Sequence, residues 1–408
     1  ILAESRTDLT VQPLEKGGII LELTFDALVV GAGYAGAVCA RQLAEGGKRV
    51  LVLERRDHIG GNAYDRLDGA GVLIHQYGPH IFHTNNKRVF DWLSRFTVWR
   101  DYQHRVLANL PDGQGGRQTY PVPFNLTSLE TAFGPAEGAR LGEKLIAAYG
   151  AEKKVTILEL RQARDPEIAA LADYVYEHVF VHYTMKQWGQ TPEEIDPNTT
   201  ARVPVFLSRD DRYFQDAYQG MPLEGYTVLF QRMLDHPGIT VELGTDALKR
   251  LDLSEGRICL DGAEFSGPVI YTGQADELFA FRFGPLPYRT LDFRFETLEQ
   301  DDFQGCGTVN YTVDEDYTRI TEFKHLTGQV KPGVTTIVKE YSRAFTGAPG
   351  ETPYYAIINP ENDRRYAQYR TEAERFPNLH LLGRLAEYKY YNMDAIAARA
   401  LELAGLLT

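Results

Sequence analysis

The run Asp26-Ala27-Leu28-Val29-Val30 passes directly into Gly31-Ala32-Gly33-Tyr34-Ala35-Gly36, and few backbones accept that succession. An apolar, β-branched run without polar alternation is a strand covered on both faces. The small residues that follow continue as a helix through Leu43, and a second apolar strand, Val50-Leu51-Val52-Leu53, ends at Glu54. The glycines each have a mechanical reason. Gly31 makes the tight turn, Gly33 lets the backbone approach a pyrophosphate, and Gly36 allows close helix–strand packing. The helix N-terminus then faces negative charge. Glu54 comes 18 residues after Gly36, near the spacing at which an acid bonds ribose hydroxyls. The fold class is therefore α/β, with a Rossmann-like dinucleotide-binding unit.

Composition excludes several alternatives. A chain of 408 residues with 43% hydrophobic and 24% charged residues folds as two or three globular domains. Its longest uncharged run, Ala27 to Ala40, carries three glycines and falls short of a membrane span. Glu4, Arg6 and Asp8 stand where a signal peptide would be apolar, so a cytoplasmic protein is expected. Cys39, Cys259 and Cys306 form no C-x-x-C pair, so neither a disulfide framework nor a metal site is expected. A net charge of −13 argues against nucleic-acid and anionic-membrane partners, but not against a small anionic ligand held by local arginines.

Further along, Pro135 to Tyr149 and Pro166 to Tyr183 read as proline-started helices. In the second, Ile168, Leu171, Ala172, Val175, Tyr176, Val179, Phe180 and Tyr183 recur at helical spacing. Residues 125–200 are expected to form an inserted helical domain. Short β-rich pieces at 291–295, 307–312 and 334–341 predict an antiparallel sheet domain, drawn from 96–124, 205–224 and 281–369. The dinucleotide domain takes 25–95, 225–280 and 370–408, closing with a strand at His380-Leu381-Leu382-Gly383-Arg384 and a helix from Asp394. Residues 1–24 read as an extension without periodic structure.

After Glu54 come Arg55, Arg56 and Ile59-Gly60-Gly61-Asn62, which resemble the second glycine signature of FAD proteins related to amine oxidases and desaturases. The closing Leu-Leu-Gly-Arg turn resembles the return strand of that FAD domain. No second G-x-G-x-x-G offers a nicotinamide site.

Eight further segments stand in the order of one family: Gly78-Pro79-His80-Ile81-Phe82-His83-Thr84, Tyr183-Thr184-Met185-Lys186-Gln187-Trp188-Gly189, Asp210-Asp211-Arg212-Tyr213-Phe214, Tyr288-Arg289-Thr290-Leu291-Asp292-Phe293, Tyr317-Thr318-Arg319-Ile320-Thr321-Glu322, Lys339-Glu340-Tyr341-Ser342-Arg343, Pro353-Tyr354-Tyr355, and Gly383-Arg384 through Tyr390-Tyr391-Asn392-Met393-Asp394. From Phe25 onward the chain resembles the prokaryotic UDP-galactopyranose mutases. The resemblance implies an isomerase that interconverts UDP-galactopyranose and UDP-galactofuranose and supplies the furanose to cell-surface glycans. It implies FAD active only when reduced, whose N5 takes the sugar as a covalent adduct while UDP is detached. It also implies an external reductant and a homodimer.

By the same resemblance Arg202 and Arg319 pinch the diphosphate, Tyr183, Tyr213, Tyr355 and Tyr390 donate hydroxyls, and Phe180 and Trp188 border the nucleotide. Asn392 falls among the substrate residues, and 188–209 corresponds to a mobile loop broken by Gly189, Pro192, Pro197 and Pro204. His83 is placed over the flavin ring. The FAD contacts are Gly31, Gly33, Gly36, Glu54, Arg55, Gly61, Asn62, His80, His83, Arg384, Met393 and Asp394. Taken singly, Tyr183 on an apolar helix face reads as core, and His83 between Phe82 and Thr84 as a packed histidine. Two positions depart from the family pattern: Asn392 stands where an Asp is common, and Phe206 where many members carry Arg. The competing readings are an amine-oxidase-like oxidoreductase and a non-catalytic nucleotide-sugar binder.

Overall fold

A computed structural model describes residues 10–13, 19–22, 25–112, 116–189 and 204–408. Five parallel strands form its first layer, in the order Ile239–Glu242, Val50–Leu53, Ala27–Val30, Val269–Tyr271, Leu379–Leu381. Alternate residues serve two different cores. Ala27, Val29, Val50 and Val52 pack with the helices Tyr34–Glu45, Tyr226–Leu234 and Met393–Leu407. Leu28, Leu51 and Leu53 pack on the other face with Tyr271, Tyr288 and Tyr369. Burial on both faces is why Ala27–Val30 and Val50–Leu53 lack polar alternation, whereas the half-buried edge strand Ile239–Glu242 alternates. Chain order reverses between Ala27–Val30 and Val269–Tyr271, and a cleft opens beyond the strand ends there.

The second sheet has seven strands, in the order Arg117–Val122, Val106–Pro111, Thr308–Tyr311, Arg319–Glu322, Thr335–Ala344, Tyr288–Leu298, Tyr355–Ala356. Its pairs are antiparallel except Val106–Pro111 against Thr308–Tyr311, which is parallel because a hairpin from far upstream docks on that edge. The segment 205–224, expected in this sheet, pairs elsewhere. Val205–Phe206 joins Lys154–Val155 beside the helices, and Tyr218–Pro222 lies between Phe82–Thr84 and Trp99–Asp101. Its strands are too short for periodicity to have fixed their partners. Within 1–24, Thr10–Pro13 and Ile19–Glu22 pair antiparallel, again in pieces too short to show a period.

The helical layer comprises Leu126–Phe133, Pro135–Tyr149, Ile157–Arg161, Pro166–Val175 and His182–Trp188. Asn125 and Ser128 cap each other's backbone, and Asp165 caps Glu167 and Ile168. Between the last two helices, Tyr176–Val181 is a π-turn. The apolar stripe from Ile168 to Phe180 is buried, but Tyr183 leaves it. A π-turn carries more residues per turn than an α-helix, so the face after it is rotated. That rotation brings Tyr183 away from the core and toward the seven-stranded sheet. Among the described residues no helix is long and apolar enough to cross a membrane.

Candidate functional site

The cleft beyond the parallel strands has a volume of about 1180 Å³. Gly31, Gly33, Glu54, Arg55, Gly61, Asn62, His80, Arg384 and Met393 line it, from segments scattered across the sequence. Gly31 holds φ at +103°, and a Cβ there would meet Thr272 Oγ1 at 2.1 Å. A Cβ at Gly36 would meet the Gly31 carbonyl oxygen at 1.9 Å, which explains the closeness of helix to strand. The Glu54 carboxylate accepts from the backbone N–H of Ala32 at 2.7 Å and of Arg56 at 2.9 Å. Arg55 is engaged by Glu277 at 3.0 Å and Asp246 at 3.6 Å. These contacts fix the cleft's far end.

Arg56, next to Arg55 in the chain, makes part of the wall. Its Nη2 donates to Asn62 Oδ1 at 2.9 Å, the guanidinium lies 4.2 Å from the Tyr77 ring centre, and Nη1 is buried without a partner. A cradle of glycines, tight at Gly31 and Gly61, and a buried guanidinium N–H without a partner suit the pyrophosphate of a dinucleotide, so the residues present fit a flavin dinucleotide cofactor. His80 donates from Nδ1 to the Gly78 carbonyl at 2.9 Å, and burial pushes its pKa down to about 3, so it stays neutral. Asp394 does not line the cleft: it accepts from Thr84 Oγ1 at 2.7 Å. Gly36 and His83 are likewise absent from the lining.

Beside the cleft lies a second site built around Arg319. Burial works against its charge, but Glu340, Tyr183, Tyr355 and Tyr213 override it, so the guanidinium sits above its ordinary value. Glu340, 1% exposed, places Oε2 3.1 Å from Arg319 Nε. Burial pushes the Tyr183 and Tyr355 hydroxyls up to about 12, with Arg319 opposing. Both therefore remain donors at neutral pH. Tyr355 stacks on Tyr390 at 6.1 Å, and the Arg384 guanidinium lies over Tyr390 at 4.5 Å. Arg384 thus touches both the tyrosine cluster and the cleft.

His83 belongs to this side. Its ring stacks on Phe214 at 3.6 Å and its Nδ1 lies 3.0 Å from Asp216 Oδ2. Phe180 is 3% exposed and packs in the core of the helical layer. Asn392 is exposed, at the N-cap of Met393–Leu407. Arg202, most of the loop 188–209 and the Trp188 side chain lie outside the described residues. In the sequence Glu340 stands inside a family segment with no role of its own; only the pairing register sets it against Arg319. His104 has no sequence signal at all, because it sits in irregular backbone with no pattern to betray it. Its pKa is pushed down to about 3 by burial and by the charges of Arg319 and His83.

The strand order, the glycine turn and the cleft at the switch point define a dinucleotide-binding protein of Rossmann type, with an Arg/Tyr site at its side. A family described as NAD(P)-binding Rossmann-like domain matches residues 29–96, and one described as UDP-galactopyranose mutase matches residues 178–390. A dTDP-fucopyranose mutase of Escherichia coli is 36% identical over 382 residues, 93% of this chain and 97% of that one. A UDP-galactopyranose mutase of Mycoplasma pneumoniae is 36% identical over 388 residues, 94% and 96% of the two chains. A crystal structure of a reduced UDP-galactopyranose mutase superposes with a TM-score of 0.68 at 16% identity, covering 94% of this chain and 93% of that one. This chain belongs to the UDP-galactopyranose mutase family and is an isomerase-type enzyme. Likeness to (S)-6-hydroxynicotine oxidase of Paenarthrobacter nicotinovorans covers 24% of this chain, against 94% for the mutase of Mycoplasma pneumoniae.

Proposed function

We propose that this enzyme interconverts UDP-galactopyranose and UDP-galactofuranose with reduced FAD in the cleft. The observation that carries the reading is Arg319, half-buried among Tyr183, Tyr213 and Tyr355 beside a dinucleotide cleft. A diphosphate calls for a rigid cation with neutral donors around it, and that set supplies both. Gly31, Gly33, Gly61, Arg56 and Arg384 would hold the FAD, with Glu54 toward its adenosine ribose. Bound and reduced, FAD supplies in N5 a nucleophile able to displace a nucleoside diphosphate from an anomeric carbon.

The chain's own residues then have defined roles. Arg319, with Arg202 from the loop, neutralises the diphosphate both while it is attached to the sugar and while it is free. Tyr183 and Tyr355 keep their protons and donate to phosphate oxygens. The stacked rings of Tyr355 and Tyr390 keep bulk water from the anomeric carbon. We extend the reading to a cytoplasmic homodimer, kept reduced by an external donor and delivering galactofuranose to cell-surface glycans.

The test is chromatography of UDP-sugars after incubation with dithionite-reduced protein. UDP-galactofuranose should yield UDP-galactopyranose, without stoichiometric consumption of dithionite. The Escherichia coli relative favours a second reading, because it matches as well as those named for UDP-galactose. A parallel incubation with a dTDP-6-deoxyhexose decides between them. Faster conversion of the dTDP-sugar would displace the UDP-galactose assignment.

A further inference from the structure

Arg289 is a buried cation in an unusual setting. It is 8% exposed, and no described carboxylate pairs with it, whereas buried charges are ordinarily paired. Its guanidinium instead closes the end of the helix His182–Trp188. Nη2 donates to the Lys186 carbonyl at 3.1 Å and Nε to the Gln187 carbonyl at 3.2 Å. Ser342, on the neighbouring strand, donates to the same Gln187 carbonyl at 2.7 Å and accepts from Arg289 Nη2 at 3.1 Å. Gly189 follows in the left-handed region at φ +65°, and a Cβ on it would stand 2.6 Å from Arg289 Nη1. The negative end of the helix supplies the counter-charge that no acid supplies.

This helix needs an outside clamp. It is the last 7 residues of a helical run that starts at Pro166, and the π-turn within that run interrupts the regular α-helical bonding, so the carbonyl end is fixed from outside. Two further residues tie it and the π-turn before it to one hairpin of the seven-stranded sheet. Lys186 Nζ donates to the carbonyls of Tyr311 and Glu315 at 2.7 and 2.9 Å, and Thr312 Oγ1 donates to the His178 carbonyl at 2.7 Å. That hairpin delivers Arg319 on its second strand. Tyr183 stands between the two ends of the short helix, with its hydroxyl in the field of Arg319.

We infer that Arg289 is a positioning residue for the substrate site, which holds the Tyr183 hydroxyl against Arg319 by clamping the carbonyl end of the Tyr183 helix. The inference rests on the proposed function, since it takes UDP as the anion that Tyr183 and Arg319 share. Arg289 acts through a two-pronged bond, so charge alone does not replace it. Lysine keeps the charge but cannot reach two carbonyls in one plane.

The experiment is a double-mutant cycle on UDP affinity, read by flavin fluorescence of the FAD-loaded protein, with flavin content and Tm recorded in parallel. Arg289→Lys should weaken UDP roughly 10-fold or more in the unaltered background, and by less than about 3-fold when Tyr183→Phe is already present. A purely structural role would lower Tm without coupling to Tyr183. Equal loss in the two backgrounds, or wild-type UDP affinity in Arg289→Lys, overturns the inference. If Arg289→Lys does not fold, Ser342→Ala removes one donor to the Gln187 carbonyl and runs the same cycle. Absence of UDP binding by the unaltered chain overturns the proposed function and the inference with it. Normal binding with an additive cycle overturns the inference alone.

Discussion

Arg319 and Glu340 face each other directly across paired strands, with Nε and Oε2 3.1 Å apart and the carboxylate 1% exposed. Such a pair gains less from attraction than it costs to remove either member, because the survivor, here a half-buried Arg319, is left without its counter-charge. Glu340→Gln preserves shape and removes the charge. In the absence of UDP it should destabilise the fold by about 3 kcal/mol. Saturating UDP should recover part of that loss, since the diphosphate becomes the counter-anion and binds only the folded form. Denaturant unfolding with and without UDP reads both values. Equal destabilisation in the two conditions would separate Arg319 from the diphosphate.

Arg319→Ala should cost kcat/KM about 2–4 kcal/mol, or roughly 30- to 1,000-fold, with FAD content unchanged. The separation is expected because Arg319 does not line the dinucleotide cleft. Steady-state kinetics on the dithionite-reduced variant, beside a flavin assay, checks it. Near-wild-type kcat/KM would remove Arg319 from the site.

Gly36 and Gly33 should respond oppositely to alanine. At Gly36 the new methyl would overlap the Gly31 carbonyl at 1.9 Å, and backbone must move; at Gly33 its nearest neighbour is the Gly61 Cα at 3.5 Å, an ordinary contact. Gly36→Ala should therefore lower stability by about 3 kcal/mol or abolish folding. Gly33→Ala should leave Tm of the flavin-free protein within a few degrees and lose flavin, because the methyl stands where a pyrophosphate approaches. Thermal melts of apoprotein and flavin per chain tell them apart. Full flavin content in Gly33→Ala would contradict the cradle assignment.

Asn392 is exposed at the N-cap of a 15-residue helix, and its side chain makes no capping bond. Asn392→Asp places a negative charge at the positive end of that helix and should stabilise by about 0.3–1 kcal/mol. Flavin content should be unchanged and turnover altered only modestly. Complete loss of FAD would make Asn392 a cofactor contact instead.

The two halves of the molecule are unequally readable from sequence. The centre of the parallel sheet is plain because burial on both faces leaves Ala27–Val30 and Val50–Leu53 without polar residues, and Gly31, Gly33, Gly36 and Glu54 mark its turn in one contiguous stretch. The Arg319 site is reached through family resemblance and not through pattern. Tyr183 follows helical spacing from Ile168 and so reads as core; a π-turn, which spacing does not announce, swings it out. Glu340 pairs with Arg319 through strand register, and register between distant strands is a tertiary property. The short strands of 205–224 find partners that spacing does not reveal, for the same reason.

The buried histidines fix a pH window for stability. His75 is 1% exposed and His104 is 4% exposed, and burial pushes their pKa values down to about 4 and about 3, the latter helped by Arg319 and His83. An unfolded histidine titrates near 6.5. With the folded value depressed, the native state binds fewer protons than the unfolded one below pH 6.5. The stability each contributes is complete above about pH 6.5 and is lost as pH falls toward 4, at up to about 1.4 kcal/mol per pH unit per histidine. Depressed carboxyls act lower: Asp26, held at about 2 by its hydrogen bonds to Arg49, loses its contribution only below its ordinary value of 3.8. Asp65, Asp276 and Glu340, raised by burial, act in the opposite sense to the histidines as pH falls, so the contribution of one histidine is read by difference. His104→Gln keeps a side-chain partner for the Tyr102 hydroxyl, which lies 3.1 Å from His104 Nδ1, and removes one titrating ring. Urea unfolding of the two proteins at intervals from pH 7.5 to 4 should give parallel curves above about pH 6.5 and, below it, a His104→Gln curve shallower than wild type by about 1 kcal/mol per pH unit. Curves that stay parallel below pH 6.5 would mean that His104 takes up its proton in the folded state as readily as in the unfolded one.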